Sequence, residues 1–264
     1  GVRIHYTIEG AGEPVILVHG YGANADVNWR APGVIQALKD DFQVIALDLR
    51  GHGLSGKPHD PAQYGIEMVE DIIRLMDHLK IEKAHVVGYS MGGFITLKLL
   101  TMYPERLISA APCAAGWESP EGERVAILTG IADSLESSED FSPLLRALEP
   151  GGEEPAAMKL AAFNAAMRSI NDVTALACIM RRFVDLAVTE EQLRANTIPV
   201  LSIVGSEDPL KSGIDNMDGV LAHHEIVIVG GGDHMTTIGK SKYSQSLKDF
   251  LKRNTLATAK PDAA

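Results

Sequence analysis

Ser90 stands between glycines in Gly88-Tyr89-Ser90-Met91-Gly92, directly after a short apolar run and directly before a helical pattern. A serine hydroxyl is a weak nucleophile until a neighbouring base takes its proton, so a chemical role requires unusual presentation and a partner. A tight turn from strand to helix supplies the presentation. It pushes the hydroxyl out at the carboxyl end of a sheet, and small neighbours keep the strained backbone free of collisions. The same turn leaves the Met91 N–H at a helix N-terminus, where a developing oxyanion is stabilised. Those are the requirements of acyl transfer. Candidate partners lie far downstream: His234, on a flexible loop after Gly230-Gly231-Gly232, and Asp208, at the end of the loop that begins at Gly205, with Pro209 fixing the turn. Glu207 is adjacent to Asp208 and competes with it.

The elements that must position these residues are legible as apolar runs. Val15 to Val18, Val44 to Leu47, His85 to Gly88, Leu107 to Ala111, Pro199 to Gly205 and Glu225 to Gly230 are short and rich in β-branched residues. Runs of this kind without polar alternation read as strands buried on both faces, the signature of a parallel sheet. Val2 to Ile8 alternates in places and leads into a turn. Between the strands, Ile66, Val69, Ile73, Met76 and Leu79 form one helical stripe. Met91 to Tyr103 forms another helix, stopped by Pro104, and Tyr243 to Leu251 a last one. The expectation is an α/β fold: a mostly parallel central sheet with helices on both faces.

Residues 116–196 break that rhythm, with no convincing strand and an Ala-, Glu-, Leu- and Met-rich composition. Met158 to Phe183 reads as helical, and Pro150-Gly151-Gly152 divides the segment. The expected organisation is a core of residues 1–115 and 197–254, a helical cap or lid of residues 116–196, and a loose tail of residues 255–264.

His19-Gly20-Tyr21-Gly22, Asp48-Leu49-Arg50-Gly51-His52-Gly53-Leu54-Ser55, Gly88 to Gly92, Gly205-Ser206-Glu207-Asp208 and Gly232-Asp233-His234 occur in this order. Together they resemble the α/β-hydrolase superfamily, in its serine esterase or lipase-like members with a helical cap. The resemblance spans nearly the whole chain outside the cap. It implies the chain order nucleophile, acid, base, hence Ser90, Asp208 and His234 as the catalytic set. It also implies that the second oxyanion donor, besides Met91, is the backbone N–H of Tyr21. Some relatives carry the acid at the end of the preceding strand, but that position reads Ala114-Ala115-Gly116. For His19 and His52 the resemblance implies structural hydrogen bonding. His223 and His224 read as solvated, and His5, His59, His78 and His85 carry no pattern.

The implied activity is hydrolysis of a small-molecule carboxylic ester through a Ser90 acyl-enzyme, without cofactor or metal. Trp117, Met158, Phe163 and Met167 are candidates for the substrate pocket, although Met and Phe at helical spacing also suit ordinary packing. Other Ser-His-Asp chemistry on the same fold is the nearest alternative: carbon–carbon bond hydrolysis, lactone hydrolysis, or cofactor-free perhydrolase or haloperoxidase activity. A serine nucleophile speaks against haloalkane dehalogenase and epoxide hydrolase activity, which use a carboxylate. A ligand-binding or receptor protein on a hydrolase scaffold keeps the fold without turnover. From a different class, Gly20-Tyr21-Gly22-Ala23-Asn24-Ala25 matches a dinucleotide fingerprint, with Asp48 as ribose ligand. Pro32 interrupts the helix that reading needs.

Composition narrows the partners. The 264 residues are 45% hydrophobic and 22% charged, ordinary for a globular protein, and the net charge is −11. An acidic surface argues against nucleic acid or anionic membrane as a partner. The two cysteines, Cys113 and Cys178, lie far apart and read as buried free thiols. No run reaches the ~18 apolar residues of a spanning helix, so stable membrane insertion is not expected. The cytoplasm is the default expectation for compartment. The chain begins at Gly1 rather than Met, which leaves room for a removed export signal.

Overall fold

A computed structural model describes residues 1–117 and 123–256. The apolar runs become seven strands: β1 (Tyr6–Glu9), β2 (Glu13–Val18), β3 (Phe42–Leu47), β4 (Ala84–Tyr89), β5 (Leu107–Cys113), β6 (Val200–Gly205) and β7 (His224–Val229). They form one sheet in the order β1-β3-β2-β4-β5-β6-β7. The edge strand β1 runs antiparallel to β3, and every other neighbouring pair is parallel.

Successive side chains on a strand point to opposite faces, and here both faces are covered. Ile16, Val18, Ile45, Leu47 and Val86 enter one core, while Val15, Leu17, Val44, Ala46 and Val87 enter the other. The helices around the sheet are α1 (Val34–Leu38), α2 (Ile66–His78) and α3 (Met91–Met102), followed by α4 (Glu123–Ser138), α5 (Ser142–Ala147), α6 (Ala157–Ile170), α7 (Val173–Arg182), α8 (Glu190–Arg194), α9 (Lys211–Asp215) and α10 (Ser241–Arg253). Met68, Ile72 and Met76 of α2 and Ile95 and Leu99 of α3 fill the first core. Val34 and Leu38 of α1 with Leu247 and Phe250 of α10 fill the second. No described helix is long and apolar enough to cross a membrane.

Helices α4 to α8 lie between β5 and β6. They meet the loops that follow the parallel strands: Tyr21 after β2 donates its hydroxyl to the Leu176 carbonyl at 2.9 Å, and His59 after β3 bonds Asp172 at 2.9 Å. This segment thus overlies the carboxyl ends of the strands. The helical stretch expected from Met158 to Phe183 is broken. The chain turns extended at Asn171 and Asp172, and the Asp172 carboxylate accepts from the Ala175 N–H to start α7 afresh.

Several histidines differ from their sequence reading. His85 is fully buried in β4, bonded to the Ser109 hydroxyl at 2.7 Å and to Glu13 at 2.9 Å. His224 begins β7, where it is half-buried and bonds the Ser202 hydroxyl at 2.9 Å rather than standing wholly in solvent. A histidine inside an apolar strand gives no local sign of the polar partner waiting on the neighbouring strand. Both cysteines are buried and free. Of the tail, Leu256 donates its N–H to Glu13 at 3.0 Å, and residues 257–264 lie outside the described residues.

Candidate active site

Ser90 is the single residue between β4 and α3. It adopts φ 53° and ψ −118°, a conformation that strains a residue with a Cβ by about 1–3 kcal/mol. The surroundings hold it there. The Ser90 N–H donates to the Cys113 carbonyl at 2.9 Å, tying the turn to β5, and the Ser90 carbonyl accepts from the Gly93 N–H at 2.8 Å. The flanking glycines are obligatory because backbone passes where a side chain would stand: a Cβ on Gly88 would strike the Gly92 carbonyl, and one on Gly92 would strike the Val18 carbonyl.

His234 reaches this turn from the loop after β7. Its Nε2 lies 2.9 Å from Ser90 Oγ, and its Nδ1 lies 3.0 Å from each oxygen of Asp208. A carboxylate only accepts, so Nδ1 carries the proton and Nε2 is left as the acceptor facing the serine hydroxyl. Asp208 is held by the Leu210 N–H, which donates to its Oδ1 at 2.9 Å. The His234 carbonyl accepts from the Tyr89 hydroxyl at 2.8 Å. Both ionisable members are nearly enclosed, His234 being 3% and Asp208 4% exposed. The neighbouring Asp233 fastens the loop: its carboxylate accepts from the Met235 and Thr236 N–H groups at 3.0 and 2.7 Å. Burial works against its charge, but the Thr236 and Met235 hydrogen bonds outweigh it and hold the carboxyl below its usual range.

The loop after β2 is braced by two buried imidazoles. His19 Nε2 accepts from the Leu49 N–H at 3.0 Å, so its Nδ1 carries the proton and donates to the Gly20 carbonyl at 2.7 Å. The peptide that joins Gly20 to Tyr21 is planar and trans, so fixing that carbonyl aims the Tyr21 N–H the opposite way. Asn28 accepts the Gly20 N–H at 2.7 Å, and His52 Nε2 accepts the Gly22 N–H at 3.0 Å. Burial pushes both histidines below the usual imidazole range, His52 strongly, with His19 adding to the effect on His52. They work as neutral rings. Among the described residues neither the Tyr21 N–H nor the Met91 N–H donates to a protein acceptor.

The Asp48 and Arg50 motif is structural. Asp48 accepts from the Ala25 and Leu54 N–H groups at 2.9 Å each and contacts His5 at 3.1 Å. Its carboxylate is thus engaged within the protein. Arg50 grips Asp71 of α2 through two bonds of 2.6 and 2.7 Å, both side chains 3% exposed.

An apolar cleft opens beside α3. Phe94, Leu97, Trp117, Leu128, Phe183 and Val188 line it, and the Arg124 guanidinium sits 4.4 Å from the centre of the Phe94 ring. Phe94 is one helical turn from Ser90. Of the four side chains picked from sequence as pocket candidates, only Trp117 lines this cleft. Met158 is 84% exposed and points away from the core; Phe163 packs half-buried against the first core; Met167, 8% exposed, lies on Gly22. Phe94 and Phe183 were not singled out from sequence, because an aromatic residue on an apolar helix reads as packing. Asn28 and Asn171, which bond the loop after β2, left no signal of any kind.

Comparison with known proteins defines the class. A sequence profile of the alpha/beta hydrolase fold matches residues 13–134. The 2-hydroxymuconate semialdehyde hydrolase of a Pseudomonas species is 31% identical over 95% of this chain and 91% of its own length. The chain belongs to the alpha/beta hydrolase family. The dihydrolipoyllysine-residue acetyltransferase component of the acetoin cleaving system of Cupriavidus necator is 36% identical over 56% of this chain, a match that covers 38% of that protein. Two further relatives are likewise matched over only 27% and 43% of their length. Among solved structures, a mutant of the meta-cleavage product hydrolase from Pseudomonas fluorescens, complexed with acetates, superposes with a TM-score of 0.75 at 25% identity, covering 97% of this chain and 96% of that one.

Proposed function

We propose that the protein hydrolyses carboxylic esters through a covalent acyl-enzyme on Ser90. The observation that carries this reading is the continuous hydrogen-bond succession from Asp208 through His234 to the Ser90 hydroxyl. In the first half-reaction His234 Nε2 takes the hydroxyl proton as Ser90 Oγ bonds to the acyl carbon. The carbonyl oxygen becomes an oxyanion, received by the Met91 and Tyr21 N–H groups, and Asp208 stabilises the imidazolium. The imidazolium then gives its proton to the departing alkoxide, leaving the acyl-serine. Water repeats the sequence: His234 takes its proton, hydroxide adds to the acyl carbon, and Ser90 leaves with the proton returned. The apolar cleft around Phe94 and Trp117 suits a hydrophobic portion of the substrate, and the reading needs no cofactor.

A second reading is favoured by a specific finding. One relative matched over 91% of its length is named 2-hydroxymuconate semialdehyde hydrolase, and on that reading the same residues would act on a carbon–carbon bond beside a ketone. One panel separates the two: p-nitrophenyl esters of short and long acyl chains, a lactone, and a meta-cleavage diketone, with fluorophosphonate labelling of Ser90 beside it. Turnover of esters with Ser90 labelled supports the first reading. Turnover of the diketone alone supports the second, and no turnover of any member, with ligand still bound, would return the protein to the class of non-catalytic binders.

A further inference from the structure

The loop that carries the Tyr21 amide is held from two sides. From the sheet side, His19 fixes the Gly20 carbonyl and His52 accepts the Gly22 N–H. From the other side the grip comes wholly from the helices inserted between β5 and β6. The Gly22 carbonyl accepts from Asn171 Nδ2 at 3.0 Å, and the same amide group donates to the Met167 carbonyl at 3.1 Å. The Met167 methyl occupies the space a Gly22 Cβ would need. The Tyr21 hydroxyl donates to the Leu176 carbonyl at 2.9 Å. Three contacts from the end of α6, the α6–α7 junction and the first turn of α7 therefore converge on two consecutive residues.

The break between α6 and α7 makes this possible. In a continuous helix the backbone N–H of residue 171 would take the Met167 carbonyl and its side chain would radiate from the helix axis. The extended backbone at Asn171, with Asp172 capping α7 and bonding His59, fixes the junction and frees the Asn171 amide to reach the loop. Asn171 touches none of the reacting groups described above.

We propose that Asn171 is a positioning residue for the oxyanion loop, so that seating of the α6–α7 junction sets the alignment of the Tyr21 amide. The proposal rests on the reading of that amide as an oxyanion donor. It makes the cap part of the machinery that stabilises the transition state, rather than only a cover for the substrate. A displaced donor loses little ground-state binding but much rate, because a misplacement of about 1 Å costs on the order of 10²-fold.

The test compares Asn171→Ala, the isosteric Asn171→Asp, which cannot donate when ionised, and Tyr21→Phe, which removes one tethering oxygen but keeps the amide. Each is assayed with a substrate that the wild-type enzyme turns over. Expected is a fall in kcat of about 10- to 100-fold with KM held within about twofold. The affinity of a trifluoromethyl ketone, which forms an oxyanion on addition of Ser90, should fall in parallel. Unchanged kcat with raised KM would mean that Asn171 only secures the cap, and would overturn the proposal. If Asn171→Ala does not fold, Tyr21→Phe decides by the same two readouts. A wild-type protein that neither turns over substrate nor is labelled at Ser90 removes the underlying reading and the tether with it, whereas an active wild type with unaffected variants removes the tether alone.

Discussion

His234 holds its Nε2 2.9 Å from the hydroxyl of Ser90, although the two residues are 144 positions apart in the chain. The contact is directional, since the Asp208 carboxylate on the far side of the ring obliges Nδ1 to carry the proton. Replacing Ser90 or His234 by Ala should lower kcat by about 10⁴- to 10⁶-fold while the protein stays folded. Asp208→Asn keeps the shape but favours the wrong tautomer, and should lower kcat by about 10⁴-fold. Steady-state kinetics with circular dichroism on each variant checks this; a Ser90→Ala protein retaining near-normal turnover is the disqualifying result.

Gly92→Ala should be poorly tolerated for a steric reason. The new Cβ would press on the carbonyls of Val18 and His19 at the start of the loop braced by His19. A loss of about 3 kcal/mol is expected from overpacking against backbone, read from urea denaturation. A variant as stable as the parent would show that the close approach of α3 to β2 is dispensable.

The buried Arg50–Asp71 pair should behave as a unit. Arg50→Met leaves the Asp71 carboxylate, 3% exposed, with only the half-exposed Arg74 guanidinium at 3.1 Å, and a loss of about 3 kcal/mol is expected. Adding Asp71→Leu should recover much of that loss, because the poorly compensated buried charge is gone while Arg74 keeps its pairing with Glu67. Denaturation of the two single variants and the double variant measures the coupling, and strict additivity would contradict it.

Stability should decline on mild acidification. His19, His52, His85 and His224 are each held below the ordinary imidazole range, burial being the largest cause in every case. The unfolded chain therefore binds protons on these rings in that ordinary range while the folded chain does not, and stability falls as pH drops below about 6.5. Thermal melting between pH 8 and about pH 5 would show it. A melting temperature that is flat or rises over that interval would refute the claim.

Some of this molecule is written locally. The strands of a sheet covered on both faces are apolar at most positions, so β2, β3, β4 and β6 stand out of the sequence as short apolar runs, interrupted at places such as His85 and Ser202 where a polar partner waits on a neighbouring strand. The Ser90 turn is legible because only small residues fit where α3 crosses β2 and β4, which forces Gly88 and Gly92 onto the page. Asp208 and His234 are reached only through the family resemblance, with Glu207 as a rival to the acid; the fold brings Asp208 to His234 and His234 to Ser90. The edge strand β1 is fainter, since one of its sides lacks a partner.

Other features were decided only by the folded chain. Whether Met158 or Met167 meets the core depends on how α6 is rotated, and α6 carries small and apolar residues on most of its surface, so its inward face is not marked in the sequence; Met158 turns out to be 84% exposed and Met167 8%. The end of α6 at Asn171 and the polar partners of His85 depend on groups contributed from elsewhere in the chain. Periodicity and glycine spacing record what a residue does to its own backbone. A hydrogen bond such as that from Asn171 to Gly22, made across 149 positions, exists only once the sheet has brought its loops and the inserted helices to one edge.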